Sequence, residues 1–146
     1  MVQLIAGYLF SEARPLSGKY DRPTNTHTHS LTPAWVPGRR FGPNKPIYVL
    51  ISRRTFSAAE AFAYDLKALK RVKVVGERSG GGAHPFHYRR VHEHFVLSLP
   101  EERSVNPITG GNWQGTGVQP DVVVSSDRAI ETALRLARAE ARQAKD

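Results

Sequence analysis

The sequence predicts an α/β fold, and three adjacent stretches carry that expectation. Pro46 to Ser52, "PIYVLIS", is a near-continuous run of β-branched and aromatic residues, the pattern of a strand covered on both faces. A helix follows at once, with Phe62, Leu66 and Leu69 on one face beside Ala58 and Ala59, and Glu60, Lys67 and Arg71 facing away. Val72 to Gly76, "VKVVG", is a second short buried strand. Strand, helix and strand in that order imply a right-handed parallel crossover, and strands alternating with helices define the α/β class.

The flanking segments are read the same way. Val2 to Phe10 has helix-compatible apolar spacing at Val2, Ile5, Leu9 and Phe10, with Ala6 between them. The stretch is too short, and lacks the preceding basic residues, to make a signal peptide. Ser11 to Asn44 is rich in Pro, Gly, Thr, Asn and His, and "HTHSLTPAWV" within it is a candidate strand. The run Gly80 to Gly82 breaks the pattern. "FHYRRVHEHFVLSLP" then reads as an exposed extended segment that turns inward at Phe95, Leu97 and Leu99. "NPITGGNWQGTGVQPD" is loop chemistry, and "VVVSS" is a last short strand. A closing helix is expected from Asp127 to Lys145, with Ile130, Ala133, Leu134, Ala137 and Ala141 inward. Trp35 and Trp113 are read as packing residues.

Composition excludes several functions. A chain of 146 residues with 40% hydrophobic and 23% charged residues suits one globular domain with a real core. No apolar run is long enough to span a bilayer. With no cysteines there is no disulfide framework and no thiolate metal site. The net charge of +8 favours anionic partners. The arginines are scattered, however, and not interleaved with aromatics, so a solvated surface is the better account than nucleic-acid binding. His27 with His29, and His92 with His94, have spacing that projects each pair to one face of a strand. Together they would make a zinc site only if they converged, and an exposed edge strand and a polar loop explain them as well. Gly80 to Gly82 lacks the lysine and hydroxyl of a phosphate-binding loop, so a backbone turn beside a substrate groove is the expectation.

Ser57 is the residue on which function turns. Ser57, Ala58, Ala59 and Glu60 form S-x-x-E, a capping box in which the serine accepts from the backbone and the glutamate reaches back. The same position lies between a strand end and a helix start, beyond the carboxyl edge of a parallel sheet where ligands gather. There the helix amino terminus offers free N–H groups to a developing oxyanion. The residues alone leave cap and nucleophile both open. His84 and His87, close to the glycine run, are candidates for the missing base.

"SRRTFSAAEAFAYDLKALKRVKVVGERSGGGAHP" resembles the nucleophile segment of the carboxy-terminal-processing (tail-specific) serine peptidase family. "NPITGGNWQGTGVQPDVVV" is similar to a later signature in its interphotoreceptor retinoid-binding-protein-like and tricorn-like branch. The resemblance implies a ClpP/crotonase-like spiral of ββα units, with residues 1–146 as the carboxy-terminal portion of the peptidase domain, incomplete at the amino-terminal side. It implies peptide hydrolysis through an acyl-enzyme, with Ser57 as nucleophile, the Ala58 N–H as an oxyanion donor, and Gly80, Gly81 and Gly82 bordering the substrate groove. The expected substrate is a peptide or the carboxyl terminus of an unstructured protein, with no metal and no organic cofactor. Two departures stand out. Gly82 takes the position of the lysine base, and Gln114 that of a supporting glutamate, which can orient a partner but carries no charge. The family's second oxyanion donor and upstream histidine precede a segment like the one at Met1. The chain therefore reads as a truncated product, an alternative start or a domain fragment, completed by a homo-oligomer or an N-terminal segment from elsewhere. The alternative is a non-catalytic binding module for an apolar or peptide ligand on the same scaffold.

Overall fold

The computed structural model describes residues 1–143, which form three helices and three small sheets. Helix α1 (Val2–Gly7) is followed by an antiparallel pair, β1 (Pro15–Asp21) and β2 (Thr26–Leu31). Next comes the expected crossover: β3 (Tyr48–Ile51), α2 (Ala58–Ala68) and β4 (Lys73–Gly76), with β3 and β4 parallel. A hairpin of β5 (Phe86–His92) and β6 (Phe95–Pro100) precedes β7 (Glu102–Val105) and β8 (Val122–Val123). A 3₁₀ turn at Ser126–Arg128 then leads into α3 (Ala129–Gln143). The expected helix end at Lys145 lies outside the described residues.

The sheets are ordered β2-β1-β7, β3-β4-β8 and β5-β6. Helix α2 lies between the first two, which explains its composition. On one side Leu66 joins Ala6, Phe10 and Leu16. On the other, Ala63 joins Ile51, Val74, Trp113 and Val118. Complete burial of a leucine such as Leu66 contributes about 1.5–3 kcal/mol. On its outer side the parallel sheet packs Val75 against Ala129 and Ala133 of α3.

Several expectations are corrected. The stretch from Ser11 to Asn44 holds two strands rather than one, because β7, more than seventy residues downstream, pairs with β1 and stabilises it (Lys19↔Ser104, Asp21↔Glu102). No local pattern announces that partner. Phe95 and Leu97 do not turn inward: they are exposed on a hairpin whose two strands contact mainly each other. Helix α3 buries only part of its expected face, the part that meets Val75 of the parallel sheet. Ala129, Thr132 and Ala133 are buried, whereas Ile130 and Leu134 are 62% and 51% exposed. Trp35 is exposed, and Trp113 is the tryptophan that packs. Strand β3 is an edge strand, with Leu50 partly in solvent.

Arg71 does not face away either. Its guanidinium donates to the carbonyls of Leu9, Lys45 and Gly42 at 2.8, 2.9 and 2.7 Å, and so ties α1 and the loop before β3 to the end of the crossover helix. Arg40 does the same for Gly7, Phe10 and Ala34. Part of the positive charge therefore serves as carbonyl clamps rather than as a solvated surface.

At the end of β4, Gly76 has φ +133°, and a Cβ there would overlap the Ile51 carbonyl oxygen. Gly76→Ala is expected to cost about 1–3 kcal/mol, read as a lower urea midpoint. An unchanged midpoint would show that the parallel pair does not hold this backbone as described.

Candidate active site

The turn from β3 into α2 is built from short polar contacts. The Thr55 hydroxyl accepts from the Ser52 N–H at 3.0 Å, and the Thr55 carbonyl accepts from the Gly80 N–H at 2.9 Å. The strand end and the glycine run are thus joined directly. Ser57 follows with φ +52° and ψ −118°. An ordinary N-cap residue has extended dihedrals, and a non-glycine residue in this region costs about 1–3 kcal/mol. A serine serving only as a cap has no reason to bear that strain.

What holds Ser57 there is Glu60. The capping-box pattern forms, with the glutamate as its firm half: the Ser57 N–H donates to Glu60 Oε2 at 2.9 Å, while the Ser57 hydroxyl makes no full cap hydrogen bond. Glu60 does not face away as expected but is 0% exposed. Its carboxylate also accepts from the Ser79 hydroxyl at 2.5 Å, the Gly81 N–H at 2.6 Å and the Gly82 N–H at 2.9 Å. The Ser79 hydroxyl in turn accepts from the Val118 N–H at 2.6 Å. Four donors replace the water that burial removes, which is what a buried carboxylate requires. Among the described residues the Ala58 N–H has no hydrogen-bond partner, and it lies at the positive end of α2.

Ser57 opens into a cleft of about 910 Å³ with two unlike walls. One is the face of the β2-β1-β7 sheet, with Ser17, Lys19 and Asp21 alternating along β1 beside Glu102 and Ser104 of β7. Lys19 is paired there with Glu102 at 2.7 Å. The other wall is apolar, made by Phe56, Ala58, Ala61, Phe86 and Trp113. Gly81 and Gly82 line the cleft, while Gly80 lies behind it, beside Arg78 and Ser79.

Phe56 had gone unnoticed in the sequence. Its ring lies across the glycine run, 2.7 Å from where a Cβ of Gly80 would sit, and a Cβ on Gly82 would overlap it. The space that a residue-82 side chain would take is therefore occupied by an aromatic ring. Gln114 is brought to the site, but in a different capacity from the one expected: its Oε1 accepts from the Ala83 and His84 N–H groups at 2.7 and 3.1 Å, so it fixes backbone. The Trp113 indole N–H donates to the Gly82 carbonyl at 2.9 Å. The histidines separate. His29 and His84 line the cleft, whereas His27 stacks on Tyr20 and His92 with His94 sits at the hairpin tip, so the two H-x-H pairs do not converge.

A second buried network also went unread. Asp65 accepts from the Ser17 N–H and hydroxyl at 3.0 and 2.5 Å and from the Asn106 side-chain amide at 2.8 Å. It ties α2 to the polar wall and to the loop after β7. The signal was present: an aspartate at the helical position between Phe62, Leu66 and Leu69 lies on the apolar stripe. Burial pushes the Asp65 carboxyl above its ordinary range, outweighing the hydrogen bonds from Ser17 and Asn106 that pull it down.

Comparison with known proteins agrees with this architecture. The Peptidase family S41 model matches residues 5–124, and the chain belongs to that family. The fold is similar to that of a photosystem II D1 C-terminal processing protease (TM-score 0.67, 22% identity, 86% of this chain and 31% of that one). It is also similar to a lipoprotein from Streptococcus agalactiae (TM-score 0.66, 20% identity, 96% and 49%). A third match is mature CPAF complexed with lactacystin (TM-score 0.72, 14% identity, 97% and 41%). The chain spans less than half the length of these three structures. It has a serine-peptidase-like α/β scaffold of the S41 type, and no helix among the described residues is long and apolar enough to cross a membrane.

Two stability measurements test the site. Ser57→Gly is expected to raise the unfolding free energy by about 1 kcal/mol by releasing the positive-φ strain, and Ser57→Ala, which keeps a Cβ, is not. A loss of stability in the glycine variant would mean that the backbone is unstrained. For Asp65, a folded-state value above the unfolded one favours folding below the unfolded pKa, and that contribution is lost as pH rises through the folded value. Relative to Asp65→Asn, the wild type should therefore lose stability from about pH 4 towards neutrality. A difference between the two urea midpoints that stays flat with pH would contradict the burial argument.

Proposed function

We propose that the cleft is a serine-peptidase site in which Ser57 attacks a peptide carbonyl and the Ala58 N–H stabilises the oxyanion. The observation that carries this reading is the backbone of Ser57. A strained serine, locked by a buried carboxylate at a helix amino terminus beside an unpartnered N–H, is arranged for nucleophilic attack rather than for capping. In the acylation step the Ser57 Oγ–carbon bond forms as the carbonyl π pair moves to oxygen. The serine proton passes to a base and then to the departing amine as the C–N bond breaks. Water hydrolyses the acyl-enzyme. The two-walled cleft suits an extended chain, with its backbone against the polar sheet face and apolar side chains against Phe56 and Phe86. The C-terminal processing named for one structural relative supports the ends of unstructured proteins as substrates. In this reading residues 1–146 are the carboxy-terminal portion of a peptidase domain, and a second copy or an amino-terminal segment supplies what the longer relatives carry elsewhere.

A second reading, a non-catalytic module that binds apolar or peptide ligands, is favoured by one feature: the Phe56 ring in the place of a residue-82 side chain. Fluorophosphonate labelling followed by intact mass separates the two. A single adduct on the wild type, lost in Ser57→Ala, is the expected result. An unlabelled wild-type chain would sink the reading of this chain as a peptidase active on its own and leave an inert fragment or the binding module.

A further inference from the structure

A serine nucleophile needs a proton acceptor, and the cleft offers few. Lys19 is the one lysine on its walls, and it is engaged as a cation with Glu102 at 2.7 Å. Two imidazoles line the cleft, His29 and His84. His29 is on the exposed strand β2. His84 is partly buried and follows the loop most firmly tied to the nucleophile.

That tie can be followed atom by atom. The Ser57 and Gly82 N–H groups donate to the same oxygen, Glu60 Oε2, each at 2.9 Å, so the loop begins one carboxylate oxygen away from the serine. From there every peptide up to His84 is held. The Gly82 carbonyl accepts from Trp113 Nε1, and the Ala83 and His84 N–H groups both donate to Gln114 Oε1. A side chain on Gly82 would run into the ring of Phe56, the residue just before Ser57, so this loop packs directly against the serine turn. His84 lines the same cleft as Ser57. A fixed backbone with an imidazole lining that cleft is how a base is positioned, and it gives Gln114 a purpose that needs no carboxylate.

We infer that His84 is the general base for Ser57, an assignment that rests on the peptidase reading. With a fluorophosphonate, the Ser57 Oγ–phosphorus bond forms, the phosphorus–fluorine bond breaks with fluoride leaving, and the serine proton goes to the imidazole. With a peptide, the same nitrogen receives the proton and returns it to the leaving amine.

The test is the rate of fluorophosphonate labelling in His84→Ala, with and without millimolar imidazole, and with the fold checked by circular dichroism. His84→Ala should slow labelling by about a hundredfold or more, and free imidazole should recover at least part of that loss by filling the vacated space. His87→Ala, on the hairpin, should label like the wild type. Three results overturn the assignment: wild-type labelling in His84→Ala, a folded His84→Ala that imidazole does not rescue, or a loss confined to His29→Ala. An unlabelled wild type overturns it as well, together with the nucleophile. The three other results leave Ser57 as nucleophile and remove only His84.

Discussion

Glu60 reaches the interior as a carboxylate surrounded by four donors, with no cation among its hydrogen-bond partners. One donor is the N–H of Ser57, two belong to the glycine run, and the fourth is the hydroxyl of Ser79, which also holds the Val118 N–H. The strand-to-helix turn, the loop after the second parallel strand and the segment entering β8 are thereby fastened to one point. Each donor has given up water for that carboxylate, so the removal of any one would leave buried charge short of a partner. This mutual dependence is what allows Ser57 to keep a backbone conformation that its own side chain disfavours.

The cleft inherits its chemistry from that fastening. With the glycine run held against α2, the Phe56 ring closes over Gly80 and Gly82 and forms one wall, while Asp65 holds Ser17 and Asn106 and so brings the antiparallel sheet up as the other. Two buried acids on one helix, three residues beyond its start and two turns along, thus set both sides of the cleft. The arginine clamps at Arg40 and Arg71 act outside this region and fix α1 and the long preceding loop to the end of the same helix.

Much of this was readable in one dimension. The crossover follows from a β-branched run, an amphipathic helix and a second apolar run, because parallel strands buried on both sides need continuous hydrophobicity. The S-x-x-E pattern announced both the helix start and the glutamate that reaches back to it. The two motifs around Ser57 and Trp113 pointed to the S41 family, and the family match over residues 5–124 bears that out. Strands β1 and β7 were not readable, since their residues are half polar and their pairing joins segments more than seventy residues apart. The face of α3 was only partly readable, because contact with Val75 buries Ala129 and Ala133 while the larger Ile130 and Leu134 stay exposed.

The sequence by itself therefore determined the fold class, the crossover, the family and the location of the serine, all of which rest on local periodicity or on contiguous motifs. Tertiary structure alone decided what surrounds that serine. It turned Glu60 inward because three donors from the glycine run and Ser79 were waiting there, and it filled the space beside Gly82 with the Phe56 ring. It also put Gln114 on the backbone of His84 rather than on a side chain. Each of these outcomes depends on which distant groups come within hydrogen-bonding or van der Waals range, and that is settled only when the two sheets close on the helix between them.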